Sequence, residues 1–284
     1  MTPQLMNGKS FKDTMEREFS YTQAHFEQVQ AKLYELAGIR LDTSKDAMVY
    51  SRLVRRIRNL KVGGFANYFA YLENTPSETQ EFINALTTNL TSFFREPHHF
   101  DILKEFLQVH TGNLRIWCVA SSTGEEAYSI AMAVAEHYGR FDTPVEIIAS
   151  DIDTHVLTAA AAGVYKRERI ASIGPQRCKQ FFQRGTGSQD GKVRVVPELK
   201  RMIEFAKINL LDTSWPVRSA VDVIFCRNVM IYFDKQTQLA LLTRLVTLLP
   251  ADGLYIAGHS ENFTSFPQVV RLAGQTTYYP VRRG

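Results

Sequence analysis

Apolar residues in the first third of the chain recur every three or four positions. Phe26, Val29, Leu33 and Leu36 make one stripe, and Gly38 ends it. A second run, Lys45 to Lys61, carries Val49, Leu53, Ile57 and Leu60 on one side. If it is one helix, steps of about 100° gather Lys45, Arg52, Arg55 and Arg56 opposite that stripe, one face core and the other basic. The stretch SETQ, Ser77 to Gln80, reads as a capping box opening a further helix. From Tyr21 to about Thr88 the pattern predicts an all-helical unit.

After residue 111 the period changes. Short apolar runs LRIWCVA, VEIIASD, VDVIFCRN and GLYIAGH alternate with helix-period segments, which predicts an α/β unit with a mostly parallel sheet and helices on both faces. One segment, RGTGSQDGKVRVVPELKRMIEFAKINL, interrupts the alternation with three glycines and two β-rich runs, Val193 to Val196 and Met202 to Ile208. It predicts an inserted antiparallel β-hairpin subdomain at about 183–208. The expected layout is a helical domain over 1–88, a linker over 89–111 carrying NLTSFFRE, and an α/β domain over 112–284.

Composition narrows the class. With 284 residues, 45% hydrophobic and 22% charged, the chain can bury ordinary cores in more than one domain. The N-terminus has no apolar core of signal-peptide length, and no run approaches the roughly 18 apolar residues of a bilayer span, so a cytoplasmic protein, not membrane-inserted, is expected. Cys118, Cys178 and Cys226 are scattered without C-x-x-C spacing, which argues against disulfides and zinc. His98 and His99 are adjacent and hence poorly placed to ligate one ion from a helix, and no metal is expected. A net charge of +4 permits an acidic partner without demanding nucleic acid.

The chemistry concentrates around CVASSTGEEAYSIAM, Cys118 to Met132, an apolar lead-in, a turn of small residues and a helix. This order makes a nucleotide cradle, yet Gly124 is the turn's one glycine, and Glu125 and Glu126 stand where a phosphate wants bare N–H groups. Ligands of open α/β sheets lie at the carboxyl ends of the strands. The residues there are Ser121, Ser122, Thr123 and Gly124; Asp151, placed to accept from both ribose hydroxyls; Arg227 and Asn228; and Gly258 and His259. Acids beside a small-residue turn suit a ribose-bearing cation such as S-adenosylmethionine (SAM). Alternatively, Glu125 and Glu126 only complement the helix dipole.

Together NLTSFFRE, ASSTGEEAYSIAM, ASDIDTHVLTAAAAGVY, CRNVMIYFDK and AGHSENF resemble the CheR family of chemotaxis receptor methyltransferases, from about Phe19 to Tyr279. The resemblance implies a Rossmann-like class I SAM methyltransferase domain with a β-subdomain, preceded by a helical domain. It implies SAM-dependent methyl esterification of glutamates on the cytoplasmic helices of chemoreceptors, with S-adenosylhomocysteine as product. It carries cofactor roles onto Asn89, Thr91, Arg95, Glu126, Asp151, Asn209, Leu210, Arg227 and Asn228. Arg95 and Tyr232 are implied near the reacting centre. Asn89 as a helix C-cap and Leu210 as plain core are the blander alternatives.

Two partner expectations follow. The basic face of Lys45, Arg52, Arg55 and Arg56 would dock acidic receptor helices. The loop with Arg184, Gly185, Gly187, Gly191 and Arg194 would bind a receptor C-terminal pentapeptide. The enzyme is expected to act as a monomer and, since a glutamate is already ionised at neutral pH, without a general base.

Rival readings are weaker. A dinucleotide oxidoreductase lacks its glycines. A hydrolase is suggested by GHSEN, but no Asp or His follows Ser260 to complete the usual chain order. A nucleic-acid methyltransferase draws on SRLVRRIRNLK, yet CRNVMIY stands where a Pro-Pro-aromatic turn is usual. A SAM-binding adaptor without turnover differs only in activity.

Overall fold

The computed structural model describes residues 17–217 and 220–282. The first stripe forms the helix Gln23–Ala37, capped by the Thr22 side chain and closed by Gly38 at φ 68°, the left-handed cap that glycine adopts without a Cβ clash. The second forms Asp46–Leu60, with Val49, Leu53 and Ile57 fully buried. Lys45 lies outside it, closing a 3-10 turn Thr43–Lys45 that Asp42 caps through the Ser44 N–H. The last helix of this domain, Pro76–Leu86, starts with its proline in the first turn, so the SETQ capping box does not form. Gln80 bonds Asn84 and the Ile152 carbonyl instead.

Two members of the expected basic face are engaged within the protein. Arg52 donates to the carbonyls of Ala85 (3.3 Å) and Thr87 (2.5 Å). Arg56 grips the buried Glu78 with two nitrogens, at 2.7 and 2.5 Å. Both guanidiniums brace the helical bundle, and Arg55 and Lys45 are the members of the set left exposed.

Among the described residues ten strands follow: β1 Leu114–Val119, β2 Val145–Asp151, β3 Val164–Lys166, β4 Phe182–Arg184, β5 Lys192–Val195, β6 Ile203–Lys207, β7 Val223–Cys226, β8 Leu254–Ala257, β9 Val270–Gly274 and β10 Thr277–Pro280. Seven make one sheet in the order β6-β2-β1-β7-β8-β10-β9. Its first five are parallel, and β10 and β9 add antiparallel to the edge. The four apolar runs seen in the sequence are β1, β2, β7 and β8, nearly continuous in burial because helices cover both faces.

The β-subdomain differs from the expected hairpin. Its sheet is β3-β5-β4, all antiparallel, so β5 pairs with strands on both sides. The second β-rich run, β6, leaves it and joins β2 in the main sheet. Pro197 explains this: it lacks an N–H to continue a ladder and starts the short helix Pro197–Lys200 between β5 and β6. The subdomain is anchored by Phe93, whose ring packs edge-on against Tyr165 and Phe182 at 5.0 and 5.5 Å. The Tyr165 hydroxyl donates to the Thr123 carbonyl at 2.7 Å.

The helical domain is fastened over the strand ends. Thr87 and Asn89 both donate to Asp153 (2.6 and 2.8 Å), Asn84 to Thr154 (2.9 Å), and Asn209 to the Leu36 carbonyl (2.8 Å). The Arg40 N–H donates to the Tyr232 carbonyl at 2.9 Å.

Candidate functional site

The chain passes from β1 outward to β2 on one side and later to β7 on the other, so the strand order reverses between β1 and β7. Carboxyl ends at such a switch point leave a crevice. A cavity of about 260 Å³ lies there, walled by residues just past β1, β2, β6 and β7 and roofed by Ile39 to Met48 of the helical domain. Asn89, Thr91, Arg95, Glu126, Asp151, Asn209, Leu210, Arg227, Asn228 and Tyr232 all line it. Ten residues scattered over 144 positions of sequence are thus brought to one wall.

The turn after β1 is closed to phosphate. The N–H of Ser121 donates to Ser150, that of Ser122 to Asp151 Oδ2 at 2.8 Å, and that of Gly124 to Ser121. A pyrophosphate would find these donors taken. Gly124, at φ 94°, also leaves no room for a side chain, since a Cβ would lie 2.8 Å from that of Ala160. Glu125 does not face the cavity: it is buried, takes the Thr123 hydroxyl at 2.6 Å and pairs with Arg169.

Two carboxylates do face it. Asp151 holds the N–H groups of Ser122 and Asp153, one per oxygen, leaving further lone pairs for a ligand. Burial pushes its pKa up to about 6, against the pull of those N–H groups. Glu126 meets Arg227 Nη1 at 2.5 Å and the Cys118 thiol at 3.4 Å, and burial raises its pKa as well. Arg227, with no exposed side-chain surface, stands between Glu126 and Glu96 (3.3 Å) and donates to the Arg95 carbonyl at 2.6 Å. The result is an ionic brace in which one guanidinium faces two carboxylates, under a wall with negative character, a match for a sugar hydroxyl pair and a cation.

Some residues assigned from the motifs are engaged within the protein. Asn89 is not a helix C-cap, since that helix ends at Leu86 and the Asn89 amide goes to Asp153. Arg95 Nη1 donates to the Leu90 carbonyl at 3.2 Å. The Tyr232 hydroxyl makes no hydrogen bond among the described residues and stays available on the cavity wall.

Sequence reasoning missed Glu261. Its carboxylate, 4% exposed, accepts four backbone N–H groups: Asn228 (2.9 Å) and Gly258 (2.7 Å) on one oxygen, Val229 (2.9 Å) and Met230 (2.8 Å) on the other. It fixes the loop after β7, in which Asn228 takes the left-handed φ of 59°. The signal was a lone acid following β8 in GHSEN.

Glu96 was also missed, and it corrects two inferences. With His98 and His99 it brings three potential ligand atoms within 4.8 Å, closer than their adjacency suggested. That carboxylate, however, is already bonded to His259 Nδ1 at 2.9 Å and held by Arg227, whose positive charge opposes a cation. Ser260 Oγ meets His259 Nε2 at 3.1 Å, so an acid upstream in sequence completes the line that chain order had seemed to forbid. Order alone therefore does not dispose of a hydrolase.

Comparison with known proteins does. Residues 24–87 match the family described as CheR methyltransferase, all-alpha domain, and residues 89–279 match CheR methyltransferase, SAM binding domain. The chain is 54% identical over 268 residues to chemotaxis protein methyltransferase 2 of Pseudomonas aeruginosa, covering 93% of this chain and 95% of that one. It is 47% identical over 281 residues to the chemotaxis protein methyltransferase of Salmonella typhimurium, covering 98% of each.

Proposed function

The chain belongs to the CheR methyltransferase family, and on that premise we propose that it methyl-esterifies glutamate side chains on the cytoplasmic helices of chemotaxis receptors. It is a SAM-dependent methyltransferase of chemotaxis with a class I methyltransferase fold. Among the described residues no helix is long and apolar enough to cross a membrane.

The observation that carries the reading is the cavity at the β1/β7 switch point, with Asp151 and Glu126 on its wall and its turn N–H groups taken. The cofactor brings an electrophilic methyl on a sulfonium. Asp151 accepts from the ribose hydroxyls, Glu126 faces the ammonium, Asn209 and Leu210 flank the adenine, and Arg95 and Tyr232 orient carboxylates near the reacting centre. The acceptor glutamate is ionised, so the residues need only hold its oxygen in line and keep water out.

The finer partner reading adds a tether. β4 is an edge strand with its outer side unpaired among the described residues, Gly187 and Gly191 take positive φ, and a Cβ on Gly185 would collide with the backbone carbonyl of Gln189. Arg184 and Arg194 are exposed beside it. A receptor C-terminal pentapeptide adds to that edge as a strand, concentrating a monomeric enzyme at receptor arrays. One experiment tests both parts: tritiated SAM with receptor fragments that carry or lack the pentapeptide. Base-labile counts on glutamates are expected, higher with the tail. Base-stable label would overturn the glutamate ester, and equal rates at low substrate would overturn the tether.

The ribose role of Asp151 has a pH signature. Hydroxyl donors favour the ionised carboxylate, whereas below about pH 6 the free protein holds a proton that binding must release. Cofactor affinity should therefore fall by up to about tenfold per unit as pH drops below that value, and level off above it. The stability sign is opposite: with its folded pKa raised, Asp151 favours the empty fold in acid and loses that contribution as pH rises through about 6. Calorimetry with S-adenosylhomocysteine should give a flat, weaker profile for Asp151→Asn. The same slope in that variant would remove Asp151 from the ribose.

A further inference from the structure

The mouth of the cavity leaves two large apolar side chains in solvent. Leu90 is 78% exposed and Ile231 48% exposed, and both belong to the cavity wall. Neither sits on a slack segment. Asn89 and Thr91, on either side of Leu90, accept Ser122 Oγ and Arg169 on their carbonyls (3.0 and 2.7 Å), and the Leu90 carbonyl itself takes Arg95. Ile231 lies on the 3-10 turn Met230–Tyr232, entered from the loop that Glu261 clamps. A fixed backbone thus holds both outward, where a folded chain alone gains nothing from them.

The cations around them point to a partner of definite charge. Arg40 and Lys45 line the same mouth, are exposed, and form no ion pair among the described residues. The nearby acid, Asp42, accepts the Ser44 N–H and hydroxyl and also feels the Lys45 charge, so the two cations outnumber the one acid beside them. An occupant is therefore apolar and acidic, and it delivers a carboxylate to the cavity.

We propose that Leu90 and Ile231 are the acceptor-docking rim of this enzyme, and that Arg40 and Lys45 flank it. On a helix, the side chains three and four positions from the acceptor glutamate share its face, about 5–6 Å away. When the glutamate enters the cavity, those neighbours land on the rim. Apolar neighbours cover Leu90 and Ile231, and further acids meet Arg40 and Lys45. The rim selects which glutamates of a receptor helix are modified. This inference rests on the reading of the protein as a receptor glutamate methyltransferase.

The test measures methyl transfer from SAM to a chemoreceptor cytoplasmic fragment by wild type, Leu90→Ser, Ile231→Ser and the double variant. Receptor KM is expected to rise about tenfold in the double variant, roughly 1.4 kcal/mol. Affinity for S-adenosylhomocysteine and the melting temperature should stay at wild-type values. Leu90→Met and Ile231→Leu should restore KM. A second arm replaces the apolar residues three and four positions from the target glutamate by serine: wild type should then behave like the double variant, and the double variant should lose nothing more. Unchanged KM in the double variant overturns the rim while leaving the glutamate reading intact. A wild-type protein that esterifies no receptor glutamate overturns both. Concentration-dependent dimers that Leu90→Ser abolishes would mean that a second copy covers the rim, and would overturn it too.

Discussion

Arg56→Glu is expected to lower the melting temperature by about 10 °C, because it strips the partner from a carboxylate the fold has buried. Glu78 is 2% exposed and is satisfied by two Arg56 nitrogens and by the Tyr68 hydroxyl at 3.0 Å. Breaking one side of a buried pair costs about 3–5 kcal/mol, and reversal adds repulsion. A purely receptor-docking arginine would behave otherwise, raising receptor KM and leaving stability alone. The damage should also reach the cofactor, since the helical domain roofs the cavity through Ile39, Arg40 and Met48. Thermal melts followed by circular dichroism decide it, with Arg55→Glu as the exposed control expected to melt within about 1 °C of wild type. An Arg56→Glu protein that melts like wild type would return that residue to the docking face.

The contrast between Arg55 and Arg56 shows what the sequence carried. Helical period placed Val49, Leu53 and Ile57 in the core and the arginines opposite them, as found. Period says nothing about what lies across from the polar side, and there the helix Pro76–Leu86 supplies Glu78 and the Ala85 carbonyl. The main strands were legible because each is a short apolar run between breakers. β6 was misplaced because β-rich composition does not name a partner strand, and only the helix begun by Pro197 separates it from β5. At the site, residues immediately after strands were readable by rule. Asp151, Arg227 and Asn228 are of that kind. Glu96 and Glu261 act across long sequence separations on backbone and guanidinium groups, and a single acid in a loop carries no pattern that announces such contacts.

Glu261→Gln should damage the donor site more than any exposed substitution at its mouth. The carboxylate presents acceptors on both oxygens to four N–H groups. An amide keeps one acceptor oxygen and turns its own N–H donors toward the other pair. Two buried donors left unmade cost about 1–3 kcal/mol each. The loop can recover part of that by letting Asn228 leave its left-handed conformation, and doing so moves the wall formed by Asn228, Val229 and Tyr232. Affinity for S-adenosylhomocysteine is therefore expected to fall at least about tenfold, along with the melting temperature. Gly258→Ala probes the same loop without touching the carboxylate, because a Cβ there would collide with the Asn228 side-chain amide and lie 3.0 Å from its backbone nitrogen. It should reproduce the loss of affinity. Calorimetry on both variants checks the argument: wild-type binding by Glu261→Gln would mean that the loop holds its shape by packing alone, and that the four N–H bonds are incidental to the site.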